Sequence, residues 1–475
     1  MTPSVAFMAL FALARQAPAT EPPPSAEPAK EEAPAVAEPA KDTAPADTGK
    51  AADPAKPAEP AKATEPVKAA EPAKAAEPAK PKDEKLALVL GDLRFAPRAQ
   101  LRVRGELTGD KTLNAGYPLS IFTHRARAGF EAEWKDTARV IVELQDVRGW
   151  GAEQTAVPPA PQDVTLFGKV ANSVDLHQAY AGVFLGPTEL RVGRQEISFS
   201  NERVLGAADW AQQGRAFDAI ALTSHGAGDF GYLAFCSLVR DRDHLPGVTM
   251  TELAVCGGGV EHKLAPMLRY APVVLVEMTD SEAVMQRATL GARVDGAIAG
   301  FSYDVDAYGQ TLWVGRDIKG AWLLGARAAY EIDTMMHPKV GALVDVVSGG
   351  DPATDGMVTF DTTFGTNHKF YGAQDLFTNL PLHTLNRGLL DAAVNLSAKE
   401  GSFSSQLAVH AFAPTAYDGP GTAFYGIEPD VVAKYDMTKF LSLQAGASLF
   451  VPVGDALGRG DQTTPWLWTT LDVKL

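Results

Sequence analysis

The sequence contains no apolar run long enough to form a transmembrane helix. The longest candidate extends from Val5 to Ala14, whereas a helix needs roughly 18 to 20 apolar residues to cross the hydrocarbon core of a bilayer. Helical insertion is therefore excluded. The other structure that spans lipid is a closed β-barrel, because its neighbouring strands satisfy every backbone N–H and C=O group. The choice is between a soluble protein and a barrel.

An excess of positive charge is also lacking. The chain has 43 Lys and Arg against 58 Asp and Glu, a formal net charge of −15. Proteins that bind nucleic acid neutralise its phosphates with basic side chains. The composition therefore argues against a nucleic-acid partner.

Catalytic and cofactor motifs are absent from the sequence. It has no G-x-S-x-G, no H-E-x-x-H, no phosphate loop and no G-x-G-x-x-G after a strand. The nine His are scattered without the spacing of metal ligands. We therefore predict that the protein is not an enzyme and has no metal site or cofactor.

Residues 1–19 have the features of an export signal. The apolar stretch VAFMALFALA precedes the small-residue site Ala17-Pro18-Ala19, and we predict cleavage after Ala19. No Lys or Arg comes before the apolar stretch, which leaves a buried N-terminal helix as the alternative.

Residues 20–96 are predicted to be a disordered periplasmic linker. From Thr20 to Lys85 the chain is almost entirely Pro, Ala, Glu, Lys, Asp and Thr, with the six-residue repeats EPAKAT, EPVKAA, EPAKAA and EPAKPK. Such a composition cannot offset the entropy of ordering, and its prolines favour extended conformations. The repeat is either a spacer without specific contacts or a segment that binds periplasmic partners such as the cell wall.

Residues 97–475 show the alternation typical of β-strands. Apolar and polar residues alternate from Arg98 to Leu107, Arg125 to Trp134, Ala299 to Asp306, Leu441 to Val451 and Leu467 to Leu475. A period of two indicates strands whose faces lie in different environments. Soluble β-sandwiches alternate as well, so this pattern alone does not distinguish the two classes.

The lengths of the predicted links favour a membrane barrel. Transmembrane barrels alternate short periplasmic turns with longer extracellular loops. Short links follow even-numbered strands at Lys135-Asp136, Gly186-Pro187 and Met437-Thr438. Long links follow odd-numbered strands at Gly149 to Ser173, Phe199 to Gly214, Ser348 to Leu385 and Pro414 to Phe424. We therefore predict an all-β, antiparallel transmembrane barrel in the cell outer membrane, with both barrel ends on the periplasmic side.

About eighteen strands are predicted. They lie near residues 98–108, 122–134, 137–147, 174–185, 188–198, 215–224, 229–240, 250–261, 269–279, 287–295, 299–310, 318–331, 339–347, 386–397, 403–413, 425–436, 440–452 and 465–475.

Two segments carry strings that are far more specific than alternation. They are LHQAYAGVFLGPTELRVGRQEISFSNERVLGAADWAQQGRAFDAI at 176–220 and SGGDPATDGMVTFDTTFGTNHKFYGAQDLF at 348–377. In these strings the chain resembles the alginate export domain family, above all in Arg191 to Gln195, Arg203 to Trp210 with Gln213 to Asp218, and Asn367 to Asp375. The resemblance extends from about Leu101 to Leu475.

The resemblance implies an eighteen-stranded outer-membrane barrel. The best-known member of the family passes an anionic polysaccharide outward through an arginine-rich pore, while many relatives are porins of unknown substrate. We therefore predict an outer-membrane channel for passive transport of small or polymeric anionic solutes, including export of a polysaccharide such as alginate. The alternatives are a general diffusion porin and a structural barrel tethered by its linker. The predicted partners are outer-membrane lipid and an anionic saccharide or other small solute.

The residues independently indicate a basic lumen, because many arginines occupy the polar phase of their strands. Guanidinium groups suit carboxylated sugars. Acidic residues such as Glu131 and Glu189 share that phase, so a wall of paired charges is an equal alternative. The predicted lumen arginines on strands are Arg102, Arg104, Arg125, Arg127, Arg139, Arg191, Arg194, Arg293 and Arg327.

Arg194 is out of phase with its strand and would face lipid unless a bulge at Gly193 turns it inward. We include it among the predicted lumen residues.

Two loop segments complete the predicted solute pathway. Asp209-Trp210, with Arg203 and Arg215, is predicted to position substrate at the mouth, although an aromatic girdle explains the Trp equally well. Asn367, His368, Tyr371 and Asp375 belong either to a loop folded into the lumen or to a solvent-exposed loop.

Cys236 and Cys256 lie on consecutive predicted strands around a link centred near Pro246. Antiparallel pairing would place them opposite each other, where Cβ atoms approach to about 4.5–5.5 Å, close to disulfide range. Since the periplasm is oxidising, a disulfide is one interpretation. Two unpaired cysteines in the wall are the other.

The predicted topology can be tested with protease on whole cells. Cleavage is expected within 149–173 or 348–385, because these links are predicted to be extracellular. Lys135-Asp136 should stay intact, and cleavage there would show that the topology is inverted. Membrane fragments with both faces accessible provide the control.

Overall fold

The structure is a computed structural model. It describes residues 86–108, 119–150, 173–224, 229–240, 253–279, 286–314, 317–351, 355–416, 424–457 and 461–475. The predicted signal peptide, the six-residue repeats and most of the predicted linker lie outside the described residues.

Nineteen strands account for most of the described chain. They are β1 Leu88–Leu90, β2 Leu93–Thr108, β3 Leu119–Trp134, β4 Ala138–Gly149, β5 Ser173–Leu185, β6 Thr188–Gln195, β7 Phe217–Ser224, β8 Phe230–Arg240, β9 Leu253–Ala265, β10 Leu268–Thr279, β11 Gln286–Ile298, β12 Phe301–Val314, β13 Asp317–Glu331, β14 Lys339–Val347, β15 Leu389–Glu400, β16 Phe403–Ala413, β17 Gly426–Asp436, β18 Leu441–Pro452 and β19 Thr464–Lys474.

Strands β2 to β19 form a closed antiparallel barrel of 18 strands. Each strand pairs with the next one along the chain. The ring closes where β19 pairs with β2, from Trp466↔Thr108 to Lys474↔Gln100. The predicted fold is thus confirmed.

Helical structure is short in the described residues. It consists of a 3-10 turn at Asn367–Lys369 and one α-helix, α1, at Leu380–His383. The Asn379 side chain caps α1 by accepting a hydrogen bond from the Leu382 N–H. In the described chain, no helix has the length and apolarity needed to cross a membrane.

The ordered barrel begins earlier than the predicted boundary at residue 97. Strand β1 turns at Gly91, whose φ is +62°, and pairs with the start of β2. Glycine adopts this left-handed conformation without the steric penalty of a side chain. The prediction placed the boundary at Pro97, a residue type that is rare inside a paired strand. Here β2 continues through Pro97, which pairs with Phe130.

The two faces of the strands differ as the alternation predicts. In β7, Ile220 and Leu222 are exposed on the outer face, while Phe217, Ala219 and Ala221 are buried on the inner face. Large apolar side chains are exposed in the same way around the barrel. Such an outer face is suited to hydrocarbon contact.

The long links lie at one end of the barrel, where residues 315–316 also join β12 to β13, and tight turns lie at the other end. At one end, called the tight-turn end, β5 joins β6 through residues 186–187, β9 joins β10 through 266–267, and β11 joins β12 through 299–300. The link from β6 to β7 at 196–216 and the link from β14 to β15 at 348–388 lie at the other end.

These two long links fold into the barrel. We call residues 196–216 lumen loop 1 and residues 348–388, of which 352–354 are not described, lumen loop 2. Leu205, Phe360 and Leu380 of these loops are fully buried, in one apolar cluster with inward residues of the strands, such as Leu323 and Phe412. The core of the protein therefore lies inside the barrel, in contact with the two loops.

This packing corrects the predicted exposure of 348–385. Phe360, Tyr371, Phe377 and Leu380 are buried. Exposed positions of this segment include Asp351 and 355–357. Protease is therefore expected to cleave lumen loop 2 close to residues 351–357.

Cys236 and Cys256 face each other across β8 and β9, with their Cα atoms 4.1 Å apart, and a disulfide joins them. Both residues lie on the outward phase of their strands, next to Ile220 and Val276. The bond therefore links two wall strands on the outer face.

Thiol labelling tests this bond. The protein unfolded in denaturant without reductant should take up no maleimide, and after reduction it should take up two per chain, because both cysteines are then free. C236S is the matched control and should label once without reductant. Labelling of both thiols in the unreduced protein would contradict the disulfide.

Candidate functional site

Four arginines form one side of the lumen beside lumen loop 1. Arg102 and Arg104 project inward from β2, and Arg125 and Arg127 from β3; we call these four the arginine wall. Arg102 lies directly opposite Arg125 in the ladder. Like charges that face each other across strands are destabilising, so this wall requires anionic partners.

Asp209 of lumen loop 1 supplies much of the compensating charge. Its carboxylate lies 3.0 Å from Arg125, 3.1 Å from Arg127 and 3.5 Å from Arg102. Burial opposes ionisation of Asp209, but the positive charges of Arg125, Arg102 and Arg127 outweigh it and lower its pKa. One carboxylate is therefore shared by three arginines.

Backbone carbonyls of lumen loop 1 complete the contact with this wall. Arg102 donates to the carbonyl of Asp209 at 2.7 Å, and Arg104 donates to that of Trp210 at 2.8 Å. Arg125 donates to the carbonyl of Ala211 at 3.1 Å. Hydrogen bonds with a charged donor are stronger than neutral ones, so the arginine wall fixes this loop in the lumen.

Trp210 lies in an aromatic stack inside the lumen. Its ring is parallel to that of His368 with centroids 3.8 Å apart, and the Arg104 guanidinium lies 4.0 Å from its centroid. His368 in turn lies 2.7 Å from Asp375. The aromatic-girdle interpretation of Trp210 is therefore wrong, and the segment from Asn367 to Asp375 belongs to a loop folded into the lumen.

The two lumen loops are joined to each other. Gly206 donates its N–H to the carbonyl of Phe364 at 2.8 Å, and Thr366 donates to that of Glu202 at 2.9 Å. Arg215 donates to the carbonyls of Phe364 at 2.5 Å and Thr363 at 3.0 Å. Burial lowers the pKa of Arg215 to about 10. We call the two joined loops the constriction unit.

Arg203 holds the constriction unit to the wall opposite the arginine wall. Its side chain is 0% exposed, lies 2.8 Å from Asp345 and 3.5 Å from Asp306, and covers the Phe370 ring at 3.7 Å. Burial alone would lower the pKa of Arg203, but the negative charge of Asp345 outweighs it and the pKa is raised. The predicted positions of Arg203 and Arg215 at an open mouth are wrong, because Arg203 is enclosed between the loops and the wall and the half-buried Arg215 is bonded to backbone carbonyls of both loops.

Arginines on this opposite wall have their own carboxylates. Arg293 lies 2.6 Å from Asp304, and Arg327 lies 2.8 Å from Asp345. On this side of the lumen, the arginines are paired with acidic residues of the same wall, which was the alternative to a basic lumen.

Arg139 and Arg191 also project into the lumen and share a carboxylate. Glu189 lies 3.4 Å from Arg139 and 2.8 Å from Arg191. Arg194 lies instead on the outward phase, beside Val192, and pairs with Asp218 at 2.9 Å. Its predicted place in the lumen is wrong because Gly193, although its φ is +128°, does not change the phase of β6.

A set of buried inward acidic residues is not among the residues predicted from the sequence. Asp345 and Asp391 are directly opposed on β14 and β15, and His410 lies 2.8 Å from Asp391. On β17, Glu428 accepts from the Gln374 N–H at 2.9 Å, and Asp430 accepts from the Ala373 N–H at 3.2 Å. The sequence feature that could have identified them is a single acidic residue within an otherwise apolar strand, as in LVDVV around Asp345.

Open space in the lumen lies toward the tight-turn end. One cavity of about 540 Å³ is bordered by Lys263, Arg269, Arg293 and Asp304. A second, of about 330 Å³, is bordered by Arg102 and Arg104. The described structure is thus narrowed by the constriction unit and wider toward the tight-turn end.

A closed transmembrane barrel with a lumen narrowed by inward loops defines the class of outer-membrane channels. The chain belongs to the alginate export family, whose sequence profile matches residues 96–238 and 275–465. No curated protein sequence is significantly similar to it.

Solved structures show the same fold at low sequence identity. OccAB1 of Acinetobacter baumannii is 14% identical with a TM-score of 0.56, over 80% of this chain and 96% of that one. OpdK of Pseudomonas aeruginosa, solved with vanillate, is 10% identical with a TM-score of 0.54, over 80% and 98%. OccK3 (OpdO) of the same organism is 11% identical with a TM-score of 0.53, over 80% and 95%.

Neutralising Asp209 should increase anion preference. In D209N the three arginines lose a shared anionic partner, while the side chain keeps its shape. The anion-to-cation permeability ratio in a planar bilayer should rise about two- to fivefold, which corresponds to roughly 0.4–1 kcal/mol of electrostatic interaction in a hydrated lumen. D218N makes the same change on the outer face and should have no effect. An unchanged ratio in D209N would show that Asp209 does not influence the ion path.

Proposed function

We propose that this protein is a passive channel for anionic solutes, small or polymeric, with acidic saccharides as the preferred class. The observation that carries the proposal is the difference between the two charged walls. Arg102 and Arg104 of the arginine wall border open space, whereas Asp345 and Asp391 of the wall that Arg203 contacts are at most 1% exposed. The two carboxylates of that wall are therefore withdrawn from a permeating ion, while Arg102 and Arg104 line open space.

The arrangement of charge supports selectivity at the narrow part of the lumen. Fixed charges act most strongly where a pore is narrow, because few mobile ions screen them there. The net charge of −15 belongs to the whole chain and does not set the field at this place. Guanidinium groups also match the geometry of carboxylates. Export of alginate, the process named by the family description, is one form of this transport.

We further propose that the tight-turn end faces the periplasm. Short turns are periplasmic in outer-membrane barrels. The first barrel strand, β2, begins at the tight-turn end, and the last, β19, ends there. In this orientation a solute leaving the cell would first meet the wide part of the lumen and then the constriction unit. The proposed transport has no chemical step and needs no cofactor.

Ion selectivity measured in a planar bilayer tests the channel. The wild-type protein should form an open pore whose reversal potential in a salt gradient indicates a preference for anions. R102Q/R104Q should shift that potential toward cation preference, because it removes the two positive charges that border the open cavity. R102K/R104K is the matched control, since it keeps the charge, and should retain the anion preference.

Three results would contradict the proposal. A wild-type protein that passes almost no current would indicate a structural barrel. Equal permeability to anions and cations would indicate a general diffusion porin. A wild-type channel that prefers cations and is unchanged in R102Q/R104Q would show that the arginines act only as paired wall residues.

A further inference from the structure

The cavity of about 330 Å³ beside the arginine wall extends to the tight-turn end of β17, β18 and β19. Arg102 and Arg104 lie at its inner end, and Lys434, Lys439 and Lys474 lie along it toward the tight turn. We call this space the lysine cleft. Its volume falls at the lower end of the range of ligand pockets, roughly 300–1,000 Å³.

The lysine cleft carries an excess of positive charge. Its lining contains five cationic side chains and two carboxylates, Asp436 and Asp472, an excess of three positive charges. Asp472 lies 2.8 Å from Arg102, and Asp436 lies 2.8 Å from Lys434. Both carboxylates of the lining are thus already paired.

Two lysines of the cleft have no acidic partner. Within the described residues, neither Lys439 nor Lys474 takes part in an ion pair within 4.0 Å. Lys439 lies 4.8 Å from the centre of the Phe440 ring. The positive charge of Lys474 helps to lower the pKa of Asp209 without a direct contact between the two side chains. An ammonium group bordering an open cavity without a counter-ion is available to an anionic ligand.

Neutral polar groups lie between the charges. The cleft is also lined by Ser442, Gln444 and Thr470, and Thr470 accepts from Arg104 at 3.2 Å. Trp210 fixes Arg104 from the other side by stacking. Hydroxyl and amide groups interspersed with cations match the hydroxyl and carboxylate groups of an acidic sugar.

The larger cavity of about 540 Å³ has a smaller surplus, because its lining holds Lys263, Arg269, Arg293 and Arg327 against Asp295 and Asp304, an excess of two positive charges. Its arginines are paired: Arg269 lies 2.8 Å from Asp295, and Arg293 lies 2.6 Å from Asp304. A ligand carboxylate would have to compete with these residues. Within the described residues, the lysine cleft has two lysines without an acidic partner within 4.0 Å, whereas the larger cavity has one, Lys263.

We propose that the lysine cleft is a loading site at the tight-turn end that binds the carboxylates of an acidic saccharide before it reaches the arginine wall. This inference rests on the proposed channel function and adds a binding step to it. Lys439 and Lys474 contact the carboxylates, and Ser442 and Gln444 contact the hydroxyl groups. The bound chain end then lies next to Arg102 and Arg104.

Calorimetric titration of the detergent-solubilised full-length protein with trigalacturonate tests the site without any measurement of current. Wild-type protein should bind the probe, and K439Q/K474Q should bind it at least about tenfold more weakly, because two charge-assisted contacts are lost. K263Q/K399Q removes two lysine charges from other strands at the same end and should leave the affinity unchanged. Neutral maltotriose should not bind, and succinate should bind more weakly than trigalacturonate.

Four outcomes would overturn the site. They are an unchanged affinity in K439Q/K474Q, an equal loss in K263Q/K399Q, binding of succinate as tight as that of trigalacturonate, and absence of trigalacturonate binding to a wild-type protein that conducts anions. The last result leaves the channel intact, whereas tight binding to a protein that passes no current would reject the channel and retain the site. The two proposals are therefore tested separately.

Discussion

The need to keep charge away from hydrocarbon governs this structure. A barrel strand has one face toward lipid and one toward the lumen, and the apolar side chains occupy the first. Most ionised groups of the strands are therefore concentrated in the interior, and Arg102 comes to face Arg125 across the ladder. These inward charges need counter-charges or polar partners inside the barrel. The two lumen loops provide them.

Lumen loop 1 contacts the arginine wall through Asp209 and the carboxylate of Asp345 through Arg203, and lumen loop 2 contacts Glu428 and Asp430 of β17. Asp209 and the backbone carbonyls of lumen loop 1 accept from the arginines. Backbone N–H groups of Ala373 and Gln374 in lumen loop 2 donate to Asp430 and Glu428. Each loop thus presents groups opposite in polarity to the wall it contacts. Joined through Arg215, the loops form a constriction that is itself held by the charges of the pore.

The arginines inside the barrel have different structural roles, although the sequence pattern does not distinguish them. Arg203 is enclosed and holds the carboxylate of Asp345, and the half-buried Arg215 holds backbone carbonyls of the lumen loops. Arg293 and Arg327 are matched by acids on their own wall. Arg102 borders open space, and with the lysine cleft it forms a continuous cationic surface from the tight-turn end to the constriction.

The sequence by itself determined the barrel, its strand order and the inward phase of most arginines, because a period of two and the alternation of link lengths are local properties of the chain. It also placed Cys236 opposite Cys256, since hairpin pairing follows from neighbouring strands. The tertiary structure alone decided that 348–388 folds inward, that Arg203 is buried on Asp345, and that Asp209 serves three arginines. These contacts join residues more than 60 positions apart, so no local pattern encodes them, and they depend on which wall each loop meets once the ring has closed.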